Sequence, residues 1–197
     1  IGKDAIASQS QILTAGWIIR QLCGAAGAVM FLPMPEPHVI AAILWAVILG
    51  GAGGLLTTIG PWYRALKKPP WQPPDWLFGP AWTLILGLAA WAAVLAWDGA
   101  VDYAGRTAII VLYGVNFLFH FLWSPLFFNF RRPDWALIEV VFLWASVLAL
   151  CVGLRQFSVL ASWLIVPYFV WVSFAAILNL YIVRLNAPFG RAAEARE

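Results

Sequence analysis

Tryptophan and the cations beside it carry the chemistry of this chain. The stretch Trp62 to Trp82 reads WYRALKKPPWQPPDWLFGPAW, with five prolines, four tryptophans, and Arg64, Lys67 and Lys68 ahead of the proline-rich part. Proline fixes φ and drives the preceding residue out of the α region, so Lys68, Pro69, Gln72 and Pro73 cannot continue a regular helix. The stretch is therefore an ordered, indole-rich loop between apolar segments, at a membrane surface where indole is favoured and Lys and Arg reach water. Indole rings stack on a flat apolar face, and guanidinium or ammonium groups take carboxylates. A planar amphiphile with carboxylates, such as a tetrapyrrole, matches the whole constellation. A sterol or carotenoid matches its apolar part. An interfacial belt accounts for Trp45, Trp91, Trp97 and Trp163 but does not require Trp62, Trp71, Trp76 and Trp82 in one loop and its following turn.

Other reactive side chains are few. His120 lies mid-segment in VNFLFHFLWSPLFF with Asn116 one helical turn earlier. Such a histidine is more often a hydrogen-bonded core residue than a ligand to haem iron. His38, after Pro37, reads as an interfacial residue. Glu139 is a functional candidate by depth, against a structural reading in which it reaches headgroup water or pairs with Arg131 or Arg132. Cys23 and Cys151 sit among apolar residues and are expected to act as small hydrophobes without a disulfide. The sequence has no H-x-x-x-H, no CxxC, no glycine-rich phosphate loop at a helix start and no supported Ser/His/Asp set. The GGAGG run falls inside an apolar span and cannot cradle phosphate. Metal enzymes, nucleotide-driven pumps and hydrolases are disfavoured; we expect no catalytic residue, no metal, no required cofactor and no nucleic-acid partner.

The elements that must position these residues are membrane helices. Of 197 residues, 63% are hydrophobic and 11% charged, with a mean hydropathy of +0.84, too little polar surface for a water-facing domain. The apolar runs suit helices in place of alternating barrel strands. The expected architecture is all-α, a polytopic bundle with spans near 38–59, 77–97, 107–128, 135–154 and 159–182. A further apolar helix at 11–32 carries Arg20 mid-segment and ends at the Pro33–Pro37 link. Three regions follow: an N-terminal extension 1–37, a core 38–186 and a polar tail 187–197. Arg64, Lys67, Lys68, Arg131, Arg132, Arg184, Arg191 and Arg196 fall on one side, against Arg106 and Arg155 on the other. Cations prefer the cytoplasm, so the Trp/Pro loop and the C-terminus are expected there. Gly50 and Gly54 form a small-xxx-small face, expected to pack within the chain.

Four separated motifs carry a family resemblance. They are Trp62-Tyr63 with Leu66, Lys68 to Trp76 (KPPWQPPDW), Phe78-Gly79-Pro80 and Trp82; Trp123 to Phe128 (WSPLFF); Trp135-Ala136-Leu137 with Glu139; and Pro167-Tyr168 with Trp171, Ala175, Leu178 and Asn179. In order over residues 38–186, they resemble the translocator protein family, the TspO or tryptophan-rich sensory proteins. The resemblance implies five transmembrane helices in a bacterial membrane, a homodimer, and a pocket under the first loop for porphyrins, haem-type tetrapyrroles or sterols. Transferred residue by residue, that pocket uses Trp71, Trp76, Trp135, Trp171, Ala175, Leu178 and Asn179. Leu178, Tyr181 and Arg184 fit a loose cholesterol-binding pattern. Residues 1–37 have no counterpart in a minimal member, and His120 stands where many relatives place Asn.

Three roles follow: a sensor, regulator or carrier of a flat ligand; an accessory subunit docked through the N-terminal helix to another membrane protein such as a pigment complex; and light-dependent porphyrin breakdown through Trp71 and Trp171.

Overall fold

The computed structural model describes residues 35–190. The segment 11–32, Cys23, Arg191 and Arg196 lie outside the described residues.

Five long helices follow from five apolar runs, separated by prolines, glycines and caps. Helix α1 spans Pro37–Leu56 and the short α2 Pro61–Ala65, each beginning on proline, whose fixed φ and missing N–H suit a helix start. After the Trp/Pro loop, a single 3₁₀ turn, Asp75–Leu77, leads into α3, Phe78–Gly99. Helix α4, Tyr103–Ser124, is capped by Asp102, whose side chain accepts from the Gly105 N–H at 2.8 Å. Pro125 ends it in a wider turn, Pro125–Asn129, closed by the Phe130 N–H on the Pro125 carbonyl at 2.9 Å. Helix α5 is Pro133–Gly153, and α6 is Val159–Asn186, capped by the Ser158 side chain on the Ala161 N–H at 3.2 Å.

Among the described residues, these five helices are long and apolar enough to cross a membrane. The boundaries follow the sequence expectation closely. The largest differences are four residues each: α6 runs on to Asn186 instead of ending near 182, and α4 begins at Tyr103 instead of near 107, because Asp102 caps it and exposed Arg106 fits in its first turn.

Packing closes the helices into a ring: α1 against α3, α3 against α6, α6 against α5, α5 against α4, and α4 back on α1. The outward faces carry Ile43, Val47, Ile110, Val141 and Val170, all exposed, as lipid-facing residues should be. Inside, small residues such as Ala89, Ala92, Ala136 and Ala161 let helices approach closely. The Gly50 and Gly54 expectation is corrected. Both are exposed; a methyl group at Gly50 would touch Leu86 of α3 at 3.6 Å and one at Gly54 would meet no atom within 4 Å, so among the described residues only the Gly50 end of this face packs on a neighbouring helix.

Candidate functional site

Where α3 and α6 meet under the loop, Trp171 meets Phe78 and Trp82 edge to face and its own-helix neighbour Phe174 at a tilt. Trp171 lies 5.6 Å from Phe78, 5.7 Å from Phe174 and 6.2 Å from Trp82, by ring centroids. From the loop, Trp71 reaches in to 5.7 Å from Phe174 and 5.3 Å from Tyr181. The row Trp71, Phe174, Trp171, Trp82 therefore runs from the loop into the bundle. Its positions on α6, 171 and 174, are three residues apart and share a face. The indole Nε1 of Trp171 is buried without a hydrogen-bond partner. An N–H donor left dry costs about 1–3 kcal/mol, which a ligand acceptor would relieve.

The loop is held by polar contacts at both ends. Asn186 at the end of α6 accepts from the Lys67 N–H and donates to the Lys67 carbonyl, both at 2.8 Å. Gln72 Nε2 donates to the Tyr63 hydroxyl and to Asp75 Oδ1, each at 3.2 Å, and the Tyr63 hydroxyl lies 3.2 Å from Asp75 Oδ1. Burial and then the Asp75 charge push the Tyr63 phenol up to about 12. Lys68 sits over the Tyr63 ring, 3.6 Å from its centroid, so its charge is spent within the loop. Arg64 and Lys67 are exposed at the same end.

A polar string crosses the bundle deeper down. His120 Nδ1 lies 2.6 Å from the Tyr168 hydroxyl, which lies 3.2 Å from Asn116 Oδ1. Asn116 Nδ2 donates to Ser146 Oγ at 2.9 Å, and Ser146 donates to the Leu143 carbonyl at 2.7 Å. His120 is thus a hydrogen-bonded core histidine, as its lone placement suggested.

The remaining predicted positions separate. Trp76 is 70% exposed, Trp135 49% and Trp71 41%. Trp135 lies under Arg132, whose guanidinium carbon is 4.2 Å from its ring centroid. Ala175 is half-buried on α6, whereas Leu178 is buried against Tyr63, Phe127 and Ala136. Asn179, 1% exposed, faces the start of α5; in the amide orientation that satisfies both of its groups it donates to the Pro133 carbonyl and accepts from the Leu137 N–H, both at 3.1 Å. Leu178 points inward while Tyr181 and Arg184 are exposed, so the cholesterol pattern does not form one surface.

The pairing expected for Glu139 is corrected. Arg132 is bound by Asp134, with Nε 2.8 Å from Oδ1. Glu139, 7% exposed, has both carboxylate oxygens buried without a partner. His38 does more than sit at an interface: its Nε2 is 3.1 Å from Asp98 Oδ1, tying α1 to α3. Sequence reasoning missed Phe78, Phe174 and Tyr168 as site neighbours. The signal for the two phenylalanines was their place three residues from Trp171 and two from Trp76.

The family model described as TspO/MBR family matches residues 41–185. The chain belongs to the TspO/MBR family. Protein CrtK of Rhodobacter capsulatus is 35% identical over 141 residues, 72% of this chain and 88% of that protein. Tryptophan-rich protein TspO of Archaeoglobus fulgidus is 36% identical over 152 residues, covering 75% and 96%. The human translocator protein is 31% identical over 126 residues, covering 64% and 75%. The TspO/MBR match takes in the loop, the aromatic row and the polar string together. Among the described residues of this TspO/MBR protein, no group of three or more His, Cys, Asp or Glu side chains is arranged to hold a metal ion.

Proposed function

We propose that this TspO/MBR-family membrane protein binds a flat, conjugated, carboxylate-bearing molecule of the tetrapyrrole class and acts as its sensor, regulator or carrier. The observation that carries the reading is the row Trp71, Phe174, Trp171 and Trp82, which leads from an exposed loop ring to a buried indole N–H without a partner. Ring faces and edges of this kind hold a planar ligand, and the Trp171 N–H offers one fixed donor. Arg64 and Lys67 supply the cations for carboxylates at the loop end. Ala175, a small half-buried residue one turn after Trp171, and the exposed rings of Trp76 and Trp135 are further contacts this reading assigns to the ligand. Leu178 and Asn179 act behind the site, by holding α6 against α5. A sterol or carotenoid would use the same row without the cations. The Trp/Pro loop and the C-terminal end of α6 face the cytoplasm in this reading.

Titration with protoporphyrin IX tests it. Saturable quenching of tryptophan fluorescence is expected, with Trp71→Ala weakening the affinity about tenfold, or ~1.4 kcal/mol. Unchanged affinity in that variant removes the loop from the site.

A further inference from the structure

Only one ring nitrogen of His120 is engaged, and the polar string decides which proton it carries. The Ser146 hydroxyl donates to the Leu143 carbonyl at 2.7 Å, so its oxygen accepts from Asn116 Nδ2 at 2.9 Å. That bond fixes the Asn116 amide and leaves Oδ1 as an acceptor, which takes the Tyr168 hydroxyl proton at 3.2 Å. With its one proton spent, the Tyr168 oxygen accepts, so His120 Nδ1, 2.6 Å away, carries the hydrogen between them. Nε2 of His120 has no hydrogen-bond partner among the described residues, and unlike Nε1 of Trp171 it is not sealed in by protein atoms. A second proton there would put a charge inside the bundle with no acceptor, so the ring is neutral and Nε2 keeps its lone pair.

His120 projects into the bundle. In the helix ring α4 lies between α1 and α5, yet the imidazole is 4.8 Å from Trp82 of α3 and 5.8 Å from Tyr168 of α6 by ring centroids. Trp82 is also 6.2 Å from Trp171, so a single ring separates His120 from the indole that carries the binding reading. The chain's other histidine, His38, is held by Asp98 between α1 and α3.

A histidine that donates one N–H to a fixed acceptor and offers the other nitrogen as a lone pair is arranged as a metal ligand, because the donated bond sets the tautomer, holds the ring and raises its basicity. When the metal arrives inside a tetrapyrrole, the macrocycle fills the equatorial positions and one axial imidazole is enough to hold haem iron. We propose that Nε2 of His120 is the axial ligand to the iron of a haem-type tetrapyrrole lying against Trp171 and Trp82. This rests on the binding reading and narrows it, since a metal-bearing ring gains a bond here that a metal-free ring cannot make. Coordination forms one bond from Nε2 to iron and changes no oxidation state. Tyr168, Asn116 and Ser146 hold Nδ1 in the protonated form that the bond requires.

The test titrates the tag-free full chain in lipid nanodiscs with ferric haem and, separately, with metal-free protoporphyrin IX. After reduction, the bound haem should show an iron–imidazole stretching band by resonance Raman, and heavy-nitrogen labelling of histidine should shift it. His120→Asn should abolish the band and weaken haem about tenfold or more, while protoporphyrin IX affinity stays within about twofold. Added imidazole should restore the band in His120→Gly, and His38→Asn should leave both band and affinity as in wild type. The labelled wild type carries the test even if a His120 variant does not fold. Bound haem without an iron–imidazole band in wild type, a band that survives in His120→Asn, or equal losses of haem and protoporphyrin IX in that variant would overturn the proposal and leave the binding reading standing. Failure of both molecules to bind defeats the binding reading, and this inference with it.

Discussion

Tyr63 shows how one side chain gathers a loop. Its ring takes Lys68 on one face and Phe128 5.5 Å from its centroid, while its hydroxyl meets Gln72 and Asp75. The folded phenol, pushed up to about 12 from an ordinary 10.0, holds its proton more tightly than the unfolded one. The folded state then binds more protons than the unfolded state between these two values, so stability is fully present below 10.0 and is lost as pH rises toward about 12. Thermal unfolding in detergent should show that fall, and Tyr63→Phe should flatten it. Glu139 is the residue that sequence reading handled least well. Its distance from Arg132 along the chain allowed a pair, but Asp134, two residues from Arg132, takes the guanidinium first. Local geometry of that kind is invisible to spacing arguments.

Among the elements, the Trp/Pro loop was legible because proline chemistry forbids helix there and indole marks an interface. What holds the loop was not legible, since Lys67 and Asn186 are 119 residues apart. Asn186→Ala removes both bonds to the Lys67 backbone and is expected to loosen the loop by about 1–3 kcal/mol. Limited proteolysis across residues 66–74 should accelerate, with the helices left intact by circular dichroism. The helices themselves were legible from hydropathy, because lipid requires every backbone group to be paired within a span. The cross-helix string from His120 to Ser146 was not. Helix periodicity put Asn116 and His120 on one face, but only the ring closure brings Tyr168 and Ser146 to them.

For the whole molecule, alternation of five spans puts Arg64, Lys67, Lys68, Arg131, Arg132 and Arg184 at one end and Arg106 and Arg155 at the other. That asymmetry predicts the loop end in the cytoplasm. In a cysteine-free background, a cysteine at position 131 should react with an impermeant maleimide only in inverted vesicles, and one at position 101 only in right-side-out ones. The candidate site was legible as a set of residue types, since Trp71 and Trp171 were picked out before any geometry. Its boundaries were not, because Asn179 and Leu178 share the helix and the motif but are consumed by packing.

On the binding reading, a planar ligand lies against the row from Trp71 to Trp82 and not on the tryptophans that face lipid. Titration of wild type, Trp171→Ala and Trp163→Ala with protoporphyrin IX in nanodiscs separates the two, because Trp163 is 67% exposed on the same helix and outside the row. A loss of about tenfold or more is expected for Trp171→Ala and a change within about twofold for Trp163→Ala. Equal effects of the two substitutions, or none from Trp171→Ala, would contradict it.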